Sequence, residues 1–124
     1  MGQNTEEPQS AAHVTRATLQ ESDYDRNVFV MIRYADTPAL ERIETEVRTA
    51  LADAGLQAHL AKDRSHVPTH KWENIRFCME HCRYGVAIYE QLGNLPLNPN
   101  ISLELGYMLG RGKQCLILRD ANAS

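Results

Sequence analysis

The chain has 124 residues, 43% hydrophobic and 23% charged, which fits one folded domain and excludes a wholly disordered chain. No apolar run approaches the roughly 20 residues that span a bilayer, the N-terminus is too polar for a secretory signal, and three cysteines do not make a paired extracellular framework. A cytoplasmic protein with no membrane partner is expected. The net charge of −3 resides wholly in residues 1–26, where Glu6, Glu7, Glu21, Asp23 and Asp25 face only Arg16 and Arg26. The rest of the chain is balanced, which disfavours extended nucleic acid but leaves room for a small phosphorylated ligand.

Residues 1–26 read as a polar tail or linker, with a weak helical pattern over Ala11–Leu19. Val28–Ile32 is a continuous apolar run of strand length, the pattern of a strand buried on both faces. Thr37-Pro38 then supplies a cap and a first-turn proline. Leu40, Ile43, Val47, Leu51 and Ala54 follow at helical spacing up to Gly55. Leu56–Ala61 predicts a short second strand, and Lys62-Asp63-Arg64-Ser65 a charged loop. Thr69 opens a second helix whose apolar members are Trp72, Ile75, Cys78, Met79 and Cys82, with Gly85 at its end. Val86–Tyr89 is the third strand. Asn98-Pro99 opens the third helix, Pro99–Arg111, and Gln114–Leu118 is the fourth strand. The domain spans 27–120, and 121–124 is a short tail.

Strands alternating with helices predict an α/β fold. The expected architecture is an open parallel sheet of about four strands in the order 2-1-3-4, with helices on both faces. In such sheets ligands bind beyond the carboxyl ends of the strands, where the strand order reverses. That rule nominates Arg33, Tyr34 and Asp36 after the first strand, and Asp63 and Arg64 after the second. It adds Tyr89, Glu90 and Gln91 after the third, and Asn98 and Asn100 at the third helix start. Arg33 and Arg64 suit a phosphate, with a solvated or ion-paired arginine as the alternative. Glu90 either meets a ribose hydroxyl or stands in water. Trp72 either stacks on a base or packs its helix on the sheet. Cys78, His81 and Cys82 fall short of a zinc set, so no metal is expected and the cysteines belong to the core.

The third helix carries the most informative misfit. At about 100° per residue, Ile101, Leu105, Met108 and Leu109 form an apolar stripe that Leu103 and Tyr107 widen. Glu104 falls inside this arc. A carboxylate there needs a basic partner such as Arg33 or Arg64, an opening to water, or a changed pKa. The functional alternative is a carboxylate facing a sugar, beside a helix start able to bind a phosphate or hydroxyl.

The stretch from Asn98-Pro99-Asn100 through Glu104-Leu105-Gly106-Tyr107 to Gly110-Arg111-Gly112-Lys113 resembles the corresponding segment of bacterial TIR-like nucleotide-binding domains. It is also similar to that of nucleoside 2-deoxyribosyltransferases, and the likeness covers roughly residues 27–119. The resemblance implies N-glycosidic-bond chemistry with Glu104 as the catalytic carboxylate. In the transferases this glutamate attacks the anomeric carbon; in TIR enzymes it engages the ribose of NAD as nicotinamide leaves. The first expectation is therefore a NAD-cleaving effector domain of a prokaryotic defence or signalling system. It would be active on assembly as a homo-oligomer or with a sensor module, with NAD as substrate and no separate cofactor. The alternatives are a nucleoside 2-deoxyribosyltransferase or nucleotide N-glycosidase, and a nucleotide-sensing module without turnover. The transferases usually carry an acidic residue just ahead of this helix, where the chain has Asn98 and Asn100. The related folds generally have a fifth strand and a last helix, so the expectation is a fragment or a sheet edge covered by a partner.

Overall fold

The computed structural model describes residues 24–33, 37–64, 71–90 and 98–120. The expected tail 1–26 lies outside these except for Tyr24–Arg26, a 3-10 turn pinned to the body. Asp25 pairs with Arg83 at 3.0 Å, and the Lys113 ammonium sits 5.0 Å from the centre of the Tyr24 ring.

Strand β1, Asn27–Met31, is buried along its whole length, as its unbroken apolar run requires. Helix α1, Pro38–Asp53, begins where Thr37 accepts a hydrogen bond from the Leu40 amide at 3.2 Å. Gly55, at φ +81°, makes the turn out of it. Strand β2 is Gln57–Leu60, helix α2 is Lys71–Glu80 and strand β3 is Tyr84–Tyr89. Helix α3, Pro99–Gly110, is capped by Asn98, which accepts from the Asn100 amide at 2.8 Å, and strand β4 is Gln114–Arg119. All strand pairs are parallel and the order is β2-β1-β3-β4, so the α/β fold and its strand order are as the sequence predicts.

The strands' alternation divides the core in two. Phe29, Met31 and Ala87 pack against Cys78, Met79 and Cys82 and against Ile101, Leu105 and Met108, on the α2/α3 side. Val28, Val30, Leu60, Val86 and Ile88 pack against Ile43, Val47 and Leu51 of α1 on the other. Cys78 and Cys82 are core residues, both fully buried. Among the described residues no helix is long and apolar enough to cross a membrane.

Three local expectations need correction. Lys62-Asp63-Arg64 is not a loop but part of a 3-10 turn, Ala61–Arg64. It closes because Asp63 accepts from the Leu60 amide at 3.1 Å. Helix α2 stops at Glu80, so Cys82 follows it and Gly85 belongs to β3. The chain turns early because the amides of His81 and Cys82 bond three residues back, to Cys78 and Met79, and the Arg83 amide then joins the Asn27 carbonyl. Leu109 and Leu103 do not join the buried stripe of α3; they are 51% and 59% exposed. Ile101, Leu105 and Met108 already fill the sheet-facing arc, and Leu109 stands about 80° off its axis.

Candidate functional site

A cleft of about 360 Å³ opens beyond the carboxyl ends of β1 and β2. Val30, Ile32, Leu40, Leu60, Ala61 and Ile75 give it apolar walls. Arg33, Glu44, Lys62, Trp72, Asn98, Asn100 and Glu104 supply its polar and aromatic lining. The volume lies at the small end of the range for small-molecule sites, roughly 300–1,000 Å³.

Glu104 reaches this cleft because α3 lays Ile101, Leu105 and Met108 on the sheet and turns its neighbouring flank toward the strand ends. The carboxylate is half-buried and sits about 9 Å along the helix from its cap. Tyr107, one turn on along the same flank, donates its hydroxyl to the Glu80 carboxylate and so ties α3 to α2. Trp72 stands edge-on to the Tyr107 ring, centroids 6.0 Å apart at 84°. The indole is thus braced on one side while 41% of the residue stays exposed at the cleft.

Arg33 lines the cleft, and its Nε donates to Glu90 Oε2 at 2.7 Å. The Glu90 side chain is only 4% exposed, so it is neither a loop carboxylate in water nor a group open to a ribose. The two residues extend β1 and β3, the adjacent strands between which the order reverses, and their ion pair bridges that point.

The remaining nominated residues divide. Asn98 and Asn100 line the cleft at the start of α3, with the Asn98 side chain engaged as the cap. Asp63 is not among the described lining residues; both its oxygens accept from Arg48 of α1, at 2.9 and 3.1 Å. Tyr89 is absent from that lining too, and its hydroxyl bonds Ser102 Oγ at 2.8 Å. Tyr34, Asp36, Gln91 and the Arg64 side chain lie outside the described residues.

Sequence reasoning missed Glu44 and Lys62, which meet at 2.6 Å on the cleft wall. Lys62 was within reach of the strand-end rule, and Glu44–Arg48 is a readable i,i+4 pair. The cross-chain meeting of the two has no local signature. Burial pushes the Glu44 carboxyl up, but hydrogen bonds from Lys62 and Arg48 outweigh it and leave the group below its ordinary range. Glu44 is therefore an anion at neutral pH. Among the described residues no three His, Cys, Asp or Glu side chains converge to hold a metal.

No protein-family model and no curated protein matches the sequence. Among solved structures, a 2-desoxiribosyltransferase from Leishmania mexicana matches with a TM-score of 0.60 at 16% identity. The match covers 76% of this chain and 64% of that one, so the chain spans less than two thirds of that protein's length. At this identity the likeness is one of fold, an α/β architecture built on a parallel sheet.

Proposed function

We propose that this domain cleaves the N-glycosidic bond of a nucleoside or nucleotide held in the cleft, with Glu104 as the carboxylate that meets the sugar. The supporting observation is the placement of Glu104 and Trp72 on one nucleoside-sized hollow beyond the strand ends. The indole offers a stacking surface for a base. The start of α3, with Asn98 and Asn100, offers donors for a hydroxyl or phosphate. As the bond from C1′ to the base nitrogen breaks, its electron pair leaves with the base and positive charge develops on the sugar. Glu104 stabilises that charge or captures it as an ester, which water or a second base then resolves.

The nature of the leaving base separates two forms of this reading. A neutral base needs a proton as it departs; nicotinamide leaves NAD as a neutral molecule and needs none. Glu44, held ionised on the cleft wall by Lys62 and Arg48, is no proton donor at neutral pH. NAD as substrate meets no such need, and its hydrolysis gives nicotinamide, ADP-ribose and a proton. A cytoplasmic effector role in prokaryotic defence or signalling, switched on by assembly or a sensor module, belongs to this form. The fold shared with a 2-desoxiribosyltransferase favours the other form, base exchange or base release on a nucleoside.

Incubation of the purified protein with NAD, and separately with nucleosides and nucleoside monophosphates, separates the two by the base released. In either form Glu104→Gln lowers turnover by at least about 100-fold. Turnover that persists in Glu104→Gln removes the mechanism. Calorimetric binding of NAD without product, in assembled wild-type protein, would instead assign a nucleotide-sensing module.

A further inference from the structure

Strand β4 forms one edge of the sheet, with β3 as its neighbour among the described residues. Its centre is apolar and open: Leu116, Ile117 and Leu118 are 57%, 52% and 42% exposed. The pairings Val86↔Leu116 and Ile88↔Leu118 place the two leucines on the α1 side of the sheet. Ile117, beside Ala87, points to the α2/α3 side. Leu109 of α3 is also exposed. Tyr107 faces α2 through Glu80, and Leu109 stands about 200° further round, on the flank turned toward β4. Apolar side chains on both sides of an edge strand make a template for another strand.

We propose that a second copy of this chain covers this edge, β4 against β4, antiparallel about a two-fold axis through Ile117. A two-fold axis normal to the sheet makes the paired strands antiparallel and keeps each side chain on its own side. Only registers centred on a residue then satisfy the alternation. Centred on Ile117, each Leu116 lies opposite the other copy's Leu118, Cys115 opposite Arg119, and Gln114 opposite Asp120. Leucine meets leucine, isoleucine meets isoleucine, and no like charges stand directly opposite. Centred on Leu116, the pairing sets Leu118 against Gln114; centred on Leu118, it sets Leu116 against Asp120. The polar residues flanking the apolar centre thus select one register. The same axis brings the two α3 helices side by side with their Leu109 flanks facing. The cleft, at the β1/β2 end, stays open, so this inference does not rest on the proposed chemistry.

Cysteine cross-linking of the full chain tests the register. The paired Cα atoms of an antiparallel ladder are about 4.5–5.5 Å apart, within disulfide reach. In a Cys115→Ser background, Ile117→Cys is expected to give a disulfide-linked dimer as the main product of mild oxidation. Leu116→Cys alone is expected to give little, and Leu116→Cys mixed with Leu118→Cys to link across. Sedimentation of the wild type is expected to show twice the 14.0 kDa chain mass. Ile117→Lys, at an exposed position, is expected to halve that mass with an unchanged far-UV spectrum. A monomeric wild type, or Ile117→Cys linking no faster than Leu116→Cys, overturns the proposal. So does a dimer that Ile117→Lys leaves intact. If deleting residues 1–23 is what first makes dimers form, the N-terminal segment covers the edge and the proposal fails.

Discussion

Arg33 and Glu90 show how a residue's role depends on a partner far along the chain. Their side chains are 12% and 4% exposed, and 57 residues separate them. Breaking a buried pair by removing one member leaves the other charge uncompensated, which costs about 3–5 kcal/mol. Glu90→Ala is therefore expected to lower stability by about 3 kcal/mol in urea unfolding. An Arg33→Met, Glu90→Leu double variant is expected to recover part of that loss, since neither member of the pair then remains without the other. A double variant as unstable as Glu90→Ala would contradict this account. Asn74 is the opposite case. Its Nδ2 is buried with no hydrogen-bond partner among the described residues, so Asn74→Ala removes a desolvated donor along with some packing. The two effects oppose, and stability is expected to stay within about 0.5 kcal/mol of the wild type, against about 1 kcal/mol for an ordinary substitution. Glu104 was legible in the sequence because one carboxylate interrupts a 3.6-residue apolar period. Glu90 was not, because nothing local to it says that Arg33 closes over it.

The elements were read most securely where a period and a cap agree, as at Thr37-Pro38 and Asn98-Pro99, where both side chains do cap their helices. Glycine misled the reading in the middle of the chain. Gly85 looks like a helix stop, yet it lies in β3 because that strand needs a residue without a side chain there. A Cβ at this position would lie 2.9 Å from Met31 Cε and 3.0 Å from both Cys115 Sγ and Met108 Cε. These are the ends of side chains from β1, β4 and α3, all crowding one point. The methionines can yield, so Gly85→Ala is expected to cost about 1–2 kcal/mol, and Gly85→Val distinctly more. Equal stability of Gly85→Val and wild type in chemical denaturation would show that the three side chains do not meet tightly there. The turn Ala61–Arg64 was hidden for a different reason: its defining bond, from the Leu60 amide to Asp63, is made by a side chain that also answers Arg48 of α1.

On the scale of the whole molecule, one carboxylate on each side of the sheet ties separate elements together. Glu44 joins α1 to the turn after β2 through Lys62, at 2.6 Å. Glu80 joins α2 to α3 through the Tyr107 hydroxyl and through Arg111, at 2.9 Å. Burial opposes ionisation at both sites. The hydrogen bonds from Lys62 and Arg48 at the first, and from Tyr107 and Arg111 at the second, more than offset it, so both carboxyls lie below their ordinary range. A carboxyl whose pKa is depressed by folding binds fewer protons in the folded than in the unfolded chain. Its contribution to stability is complete above the unfolded value, near 4.3, and disappears as pH falls through the lower folded value. Stability is thus expected to hold from neutral pH down to about pH 5 and to drop below it. The Glu44→Gln, Glu80→Gln double variant is expected to be less stable than the wild type at pH 7. Its unfolding free energy should vary less with pH between about 5 and 3, because two of the groups that titrate on unfolding are gone. Urea unfolding of both proteins across that window is the measurement. Curves that run parallel, displaced but with the same slope, would mean that neither carboxylate is held ionised by the fold.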